Sequence, residues 1–298
     1  MARERGVAAG RFALELDGAF AGWLTSASGG EAEGEVVQEP LGADSVVRKH
    51  LGGVHYTDLE LTAGAGMEKA FSDWIAATLA HTGTRKDGTV ISVDATLKEV
   101  ARRTFFNALV REIQLPGLDA GAKDAATLMV RVAPEDARTT KGSGAKVAAP
   151  SSAKVQKKWL LSNFRLQIDG VDCKNVRRIE ALTIKQNVVD SSIGERRDFL
   201  QEESQLELGD LIVTVPESKA ADFVAWHDDF VIKGNNGSSA EKSGKLELLA
   251  PDLKSVLLTL DFGGLGIFKL ERRDGGAEGA LPTLRAAIYC EEVTFTAA

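Results

Sequence analysis

Two segments of this chain repeat each other in one fixed register. Phe12-Ala-Leu-Glu-Leu-Asp-Gly18 returns 152 residues later as Phe164-Arg-Leu-Gln-Ile-Asp-Gly170. The same spacing carries Asp58-Leu-Glu-Leu-Thr62 onto Asp210-Leu-Ile-Val-Thr214, and Phe71-Ser-Asp-Trp74 onto Phe223-Val-Ala-Trp226. The chain holds four tryptophans, so a chance match of Trp74 with Trp226 is improbable. Trp23 and Trp159 have no counterparts. The repeat predicts two copies of one fold, which bounds the architecture before any other feature is considered. Beyond the tryptophans the register slips, so loop lengths differ in the second halves.

The length of 298 residues fits two domains with a core each. The expected limits are 1–138 for the first unit, 139–158 for a linker and 159–298 for the second unit. The linker is rich in Gly, Ser, Ala and Lys. From Thr139 to Lys158 it has five lysines and no acidic residue. It reads as a solvated tether, or as a basic arm lying along an acidic neighbour.

Each unit reads as mainly β with one helix, an antiparallel β-barrel or sandwich that falls in the β or α+β class. Phe12-Ala-Leu-Glu-Leu alternates at period two and ends at Asp17-Gly18, a strand entering a tight turn. A returning strand is expected around Trp23-Leu24 and, in the second unit, around Val176. Glu31 to Val37 and Ile179 to Lys185 read as further strands, as do Leu59 to Thr62 and Leu211 to Val215. Met67, Phe71, Trp74, Ile75 and Leu79 mark one helix, and Ala220, Phe223, Val224 and His227 the other. Pro216 suits the first turn of that second helix. Leu246 to Leu249, Val256 to Phe262, Ile267 to Leu270 and Ala287 to Phe295 are β-rich.

The inventory of reactive groups is thin. His50, His55, His81 and His227 form no HExxH, and Cys173 and Cys290 form no CxxC. Gly263-Gly-Leu-Gly266 and Gly64-Ala-Gly66 lack phosphate-loop spacing and read as turns or bulges. His227-Asp228-Asp229 reads as a solvated helix end. Glu291 and Glu292 are neighbours on a strand, so they face opposite sides. Ser26, Ser28, Ser238 and Ser239 have no nucleophile-elbow context, and Asn236-Gly-Ser238 reads as a turn. The expected site residues are therefore none: no catalytic residue, no cofactor, no metal. The net charge of −7 argues against a general nucleic-acid binder. No apolar run is long enough for a membrane helix, and the first residues do not read as a secretory signal.

The order of FALELDG, Arg48-Lys49, Gly52-Gly53, Asp58-Leu-Glu-Leu-Thr-Ala-Gly64, the helix with Trp74 and the Asp87-Gly88 turn resembles the phage tail-tube protein family. That family includes the tubes of contractile phage tails and related injection systems. The second unit resembles it through Phe164 to Gly170, Trp226 and Tyr289-Cys-Glu-Glu-Val-Thr-Phe295. The resemblance implies a non-enzymatic structural component, assembled in the bacterial cytoplasm and carried in a virion tail or injection particle. It implies homo-oligomers, with tube, sheath or baseplate proteins as partners. The common tube protein is a single unit, so two joined units suit a trimer that presents a pseudo-sixfold ring, or a hexamer. A soluble adaptor or cargo-linking module is the alternative.

Overall fold

Alternation of apolar and polar residues becomes strand where one face can be buried, and most of this chain follows that rule. The computed structural model describes residues 11–40, 47–64, 66–147, 159–191, 200–274 and 281–297. The first unit contains β1 (Arg11–Leu16), β2 (Ala19–Ser28), β3 (Ala32–Pro40), β4 (Val47–Tyr56), β5 (Leu59–Ala63), α1 (Lys69–Leu79), β6 (Lys86–Val93), β7 (Glu99–Leu115), β8 (Leu118–Asp119), β9 (Leu128–Ala133) and β10 (Asp136–Lys141). The second contains β11 (Phe164–Ile168), β12 (Arg178–Ile179), β13 (Leu182–Ser191), β14 (Leu200–Leu208), β15 (Leu211–Pro216), α2 (Ala221–His227), β16 (Lys242–Leu249), β17 (Val256–Arg273), β18 (Thr283–Tyr289) and β19 (Glu292–Ala297).

In the first unit β7, β6, β1, β2, β5 and β9 pair in that order, and β9 pairs back onto β7. The result is a closed antiparallel barrel in which the C-terminal part of β7 runs on past β6 and offers an edge. The Asp17-Gly18 turn closes β1 onto β2, with φ of 48° and 79° at its two residues. Such positive φ favours glycine and tolerates aspartate. β3 and β4 leave the barrel as a separate hairpin.

The second unit repeats most of the plan. β11–β16, β16–β17, β17–β18, β17–β19, β15–β18 and β12–β15 reproduce β1–β6, β6–β7, β7–β9, β7–β10, β5–β9 and β2–β5. The bulge in β7 between Val110 and Glu112 recurs in β17 between Ile267 and Lys269. Gly88 and Gly244 are equivalent and fill equivalent spaces. A Cβ would lie 2.8 Å from the Glu15 carbonyl at the first and 3.0 Å from the Gln167 carbonyl at the second.

The returning strand expected around Val176 is not formed. One bridge, Ile168 with Val171, stands where β1 pairs β2, and pairing resumes at β12. Asp172 Oδ1 accepts the Lys174 backbone N–H at 3.1 Å, a local turn that competes with strand. The second barrel is therefore split between β11 and β12. Two further expectations are corrected. Val256 to Arg273 is one strand, with Gly263-Gly-Leu-Gly266 inside it, and the last β segment is broken at Cys290-Glu291 into β18 and β19. The second helix is shorter than its spacing suggests: a 3-10 turn precedes α2 and a π turn covers Asp228–Ile232.

The segment expected as linker begins inside the first unit. Thr139 to Lys141 complete β10, and Val147 is buried against Ala13, Ile91 and Val93. Residues 148–158 lie outside the described residues. The main apolar core runs through both units, beside the small cluster around Val147.

Candidate assembly interface

The two units meet along strands. β13 of the second unit pairs antiparallel with the C-terminal part of β7, setting Leu182, Thr183, Ile184 and Lys185 opposite Leu115, Gln114, Ile113 and Glu112. Leu182, Ile184, Leu115 and Ile113 are all buried. Next to this ladder Ile179 and Arg178 of β12 pair with Leu118 and Asp119 of β8. The sheet of the first unit thus continues into the hairpin of the second, the geometry of strand addition to an open edge.

Polar contacts fix the hairpin's far end. Glu135 Oε1 accepts the Gln201 backbone N–H at 3.0 Å and an Arg85 guanidinium N–H at 2.6 Å. Arg85 also donates to the Gln201 carbonyl. Arg111, in the β7 bulge, donates to Asp58 Oδ1 at 3.0 Å and to the Val188 carbonyl at 3.4 Å. Helix α1 packs against β19 of the second unit. The chain enters the second unit pinned to the first: the Trp159 carbonyl accepts the Ala126 N–H at 2.8 Å.

The counterparts of this joint are open. Hairpin β3–β4 is equivalent to β13–β14, yet among the described residues it pairs with no other strand. It exposes Val36, Val47 and Leu51, Leu51 by 65%. The part of β17 equivalent to the joined part of β7 has β18 on one side and, among the described residues, no strand on the other. Phe268 stands there in the place of Arg111 and is 43% exposed. In the π turn after α2, Val231 is 39% exposed, whereas its equivalent Leu79, in α1, is buried. Val36 and Leu51 are cross-strand partners, and contiguous exposed apolar side chains mark contact surfaces.

The reactive groups weighed in the sequence do not converge. His50 and His55 lie on the outer hairpin near Glu39 and Glu33, at 3.9 and 3.2 Å. His81 follows α1 with φ of 53°, and His227 ends α2. Cys173 and Cys290 are free thiols, each pushed up to about 11 by burial. Among the described residues no three His, Cys, Asp or Glu side chains group as a metal site. No described helix is long and apolar enough to cross a membrane. The joint itself escaped the sequence reading. The period-two apolar pattern of Ile179 to Ile184 announces a strand, but it carries no information on which strand it joins.

Residues 8–138 match the family of the T4-like virus tail tube protein gp19. The match covers the first unit. Several solved structures are similar over part of the chain. The sheath–tube complex of the extracellular contractile injection system PVC is 20% identical, with a TM-score of 0.38 over 44% of this chain and 88% of that one. The tube-terminating cap of the anti-feeding prophage is 19% identical, with a TM-score of 0.38 over 44% and 88%. Hcp1 from Flavobacterium johnsoniae is 13% identical, with a TM-score of 0.29 over 45% and 95%. No curated protein sequence matches the chain. The tail-tube resemblance and the mainly β fold of two tandem barrel-like units, both expected from the sequence, thus hold.

Proposed function

We propose that the chain is a non-enzymatic ring component of a phage tail or phage-like contractile injection system, three copies closing a ring of six tube-like units. The observation that carries this reading is the joint between β13 and β7. It is heterologous: a hairpin of one unit meets a barrel edge of the next. A contact of that kind leaves the complementary surfaces unused at the two ends of the chain, and repetition closes a ring or grows a filament. The open hairpin β3–β4 and the open edge of β17 are those two ends. Six units are what the tail-tube resemblance supplies, and two units per chain make that three chains. Closure also covers strand edges that would otherwise invite indiscriminate pairing.

In this reading the partners are further copies of the chain and the tube, sheath or baseplate proteins that stack on a sixfold ring. The particle is assembled in the bacterial cytoplasm and works as part of a tail or injection apparatus. The acidic balance keeps copies apart except through their matched edges. Negative-stain imaging of the full chain tests the proposal. Rings of six lobes are expected. A single two-lobed particle at micromolar concentration overturns it and favours an adaptor.

A further inference from the structure

The two ends that a ring must join carry charges opposite to those of the joint already made. Lys185 of β13 stands opposite Glu112 of β7. One repeat earlier, the hairpin position of Lys185 is held by Glu33. The equivalence is fixed by hairpin pairing: Lys185 lies across from Glu207 and Glu33 across from His55, each just before the bulge of its strand. One repeat later, the edge position of Glu112 is held by Lys269. The matching bulges fix that equivalence, because Glu112 follows the bulge of β7 as Lys269 follows the bulge of β17. The side chains of Glu33 and Lys269 are 58% and 55% exposed.

A second contact shows the same relation. Inside the chain, Gln201 sits against the Arg85–Glu135 pair. On the open side the places of Arg85 and Glu135 are taken by Glu241 and Glu291, both acidic. The place of Gln201 on the hairpin is taken by Lys49. Among the described residues no lysine or arginine forms an ion pair with Glu241 or Glu291 (Tyr289 donates its hydroxyl to Glu241 at 2.7 Å). Burial and those two carboxylates push the Tyr289 phenol up to about 12.

We propose that the β3 edge of one copy adds to the β17 edge of the next in the register that places Glu33 opposite Lys269 and Ala32 opposite Leu270, with Lys49 over Glu241 and Glu291. This rests on the ring reading and deepens it by naming the contact and its selectivity. Opposite charges across a strand pair stabilise it and like charges destabilise it. A first-unit hairpin offered to another first unit would set Glu33 against Glu112. A second-unit hairpin offered to another second unit would set Lys185 against Lys269. Both mispairings are repulsive, so the units alternate around the ring, and specificity comes from repulsion as well as attraction. Glu31 falls opposite Glu271 in this register. Each already has an arginine of its own, Arg103 on Glu31 at 3.2 Å and Arg285 on Glu271 at 3.3 Å, so Lys269, which also pairs with Glu271 within the chain, can turn to Glu33 without leaving Glu271 unpaired.

The test uses the full chain in native mass spectrometry and cysteine cross-linking. Glu33→Lys and Lys269→Glu should each weaken association about tenfold or more, and the double variant should restore it. Circular dichroism melts of Glu33→Lys should not move, because that side chain is exposed; Lys269→Glu also loses its ion pair with Glu271, so Lys269→Ala, which loses that pair alone, should associate more tightly than Lys269→Glu. Under mild oxidation Glu33→Cys combined with Lys269→Cys should link copies. Glu33→Cys with Leu270→Cys should not, since adjacent strand residues face opposite ways. Rings of wild-type chain that tolerate both single reversals, or that link through position 270, overturn the register and leave the ring reading intact. A wild-type chain that stays monomeric overturns both.

Discussion

Trp226 occupies in the second unit the position that Trp74 occupies in the first, but only Trp74 has an acceptor for its indole N–H. Trp74 Nε1 donates to the Thr84 carbonyl at 2.9 Å, and the residue is 1% exposed. Trp226 is 7% exposed, edges against Phe230 with ring centroids 6.4 Å apart, and its buried Nε1 has no partner among the described residues. Replacing Trp74 by Ala should cost about 3–5 kcal/mol. Trp74→Phe should cost about 1 kcal/mol more than Trp226→Phe, since it alone removes a hydrogen bond and strands a carbonyl. Urea melts of the two Phe variants check this, and equal losses would count against it.

The strand joint between the units should hold them together without a covalent link. A protease site introduced between residues 148 and 158 and then cut should leave both halves in one particle on gel filtration. Leu182→Asp puts a charge into the buried ladder opposite Leu115 and should make the cut halves separate. A buried unpaired carboxylate costs several kcal/mol, more than an exposed edge change could. Halves that separate after cutting without the substitution would show the joint to be weak.

How far the sequence alone reveals this molecule depends on which interaction is at stake. Local patterning places β1, β5 and α1 and their counterparts, because burial of one face writes itself into the spacing of Leu14, Leu16, Leu59, Leu61, Phe71 and Trp74. It places neither the loss of the strand before β12 nor the course of β17. The first turns on Asp172 forming a local turn. The second turns on Gly264, which takes φ of 61° beside Glu291 and lets the strand bulge and continue. The joint is least legible of all. Leu182 and Ile184 look like any half-buried strand, and that they face Leu115 and Ile113 of the other unit is a tertiary fact. The charge reversal between Lys185–Glu112 and Glu33–Lys269 becomes visible once the bulges align β7 with β17.

Acid should weaken the second unit through Arg285. This guanidinium bonds both oxygens of Glu180, at 2.7 and 3.0 Å, and reaches Glu271 at 3.3 Å. The hydrogen bonds from Arg285 hold the Glu180 carboxyl below the usual range of 4.5, and those from Lys269 and Arg273 do the same for Glu271. A carboxyl with a depressed folded value stabilises fully above its ordinary value and loses that contribution as pH falls below it. Arg285→Ala should therefore destabilise at pH 7 and have a smaller effect at pH 3. Urea melts at the two pH values measure the difference, and an equal loss at both would contradict the assignment.

Both thiols should be slow to react. Burial pushes Cys173 and Cys290 up to about 11, so at pH 8 nearly all of each remains protonated, and the thiolate is the reactive form. Labelling with a chromogenic disulfide at pH 8 should be slow in the native chain and fast in denaturant. Rapid native labelling of Cys173 would contradict its burial.

The central claim is that the joint inside the chain is repeated between chains until a ring closes. Native mass spectrometry of the full chain at micromolar concentration tests it most directly. The account predicts a dominant particle of three times the 31.8 kDa chain mass, which gives way to monomer when Lys269→Glu is introduced. A dominant monomer in the unmodified chain, at any salt concentration from low to physiological, would contradict it.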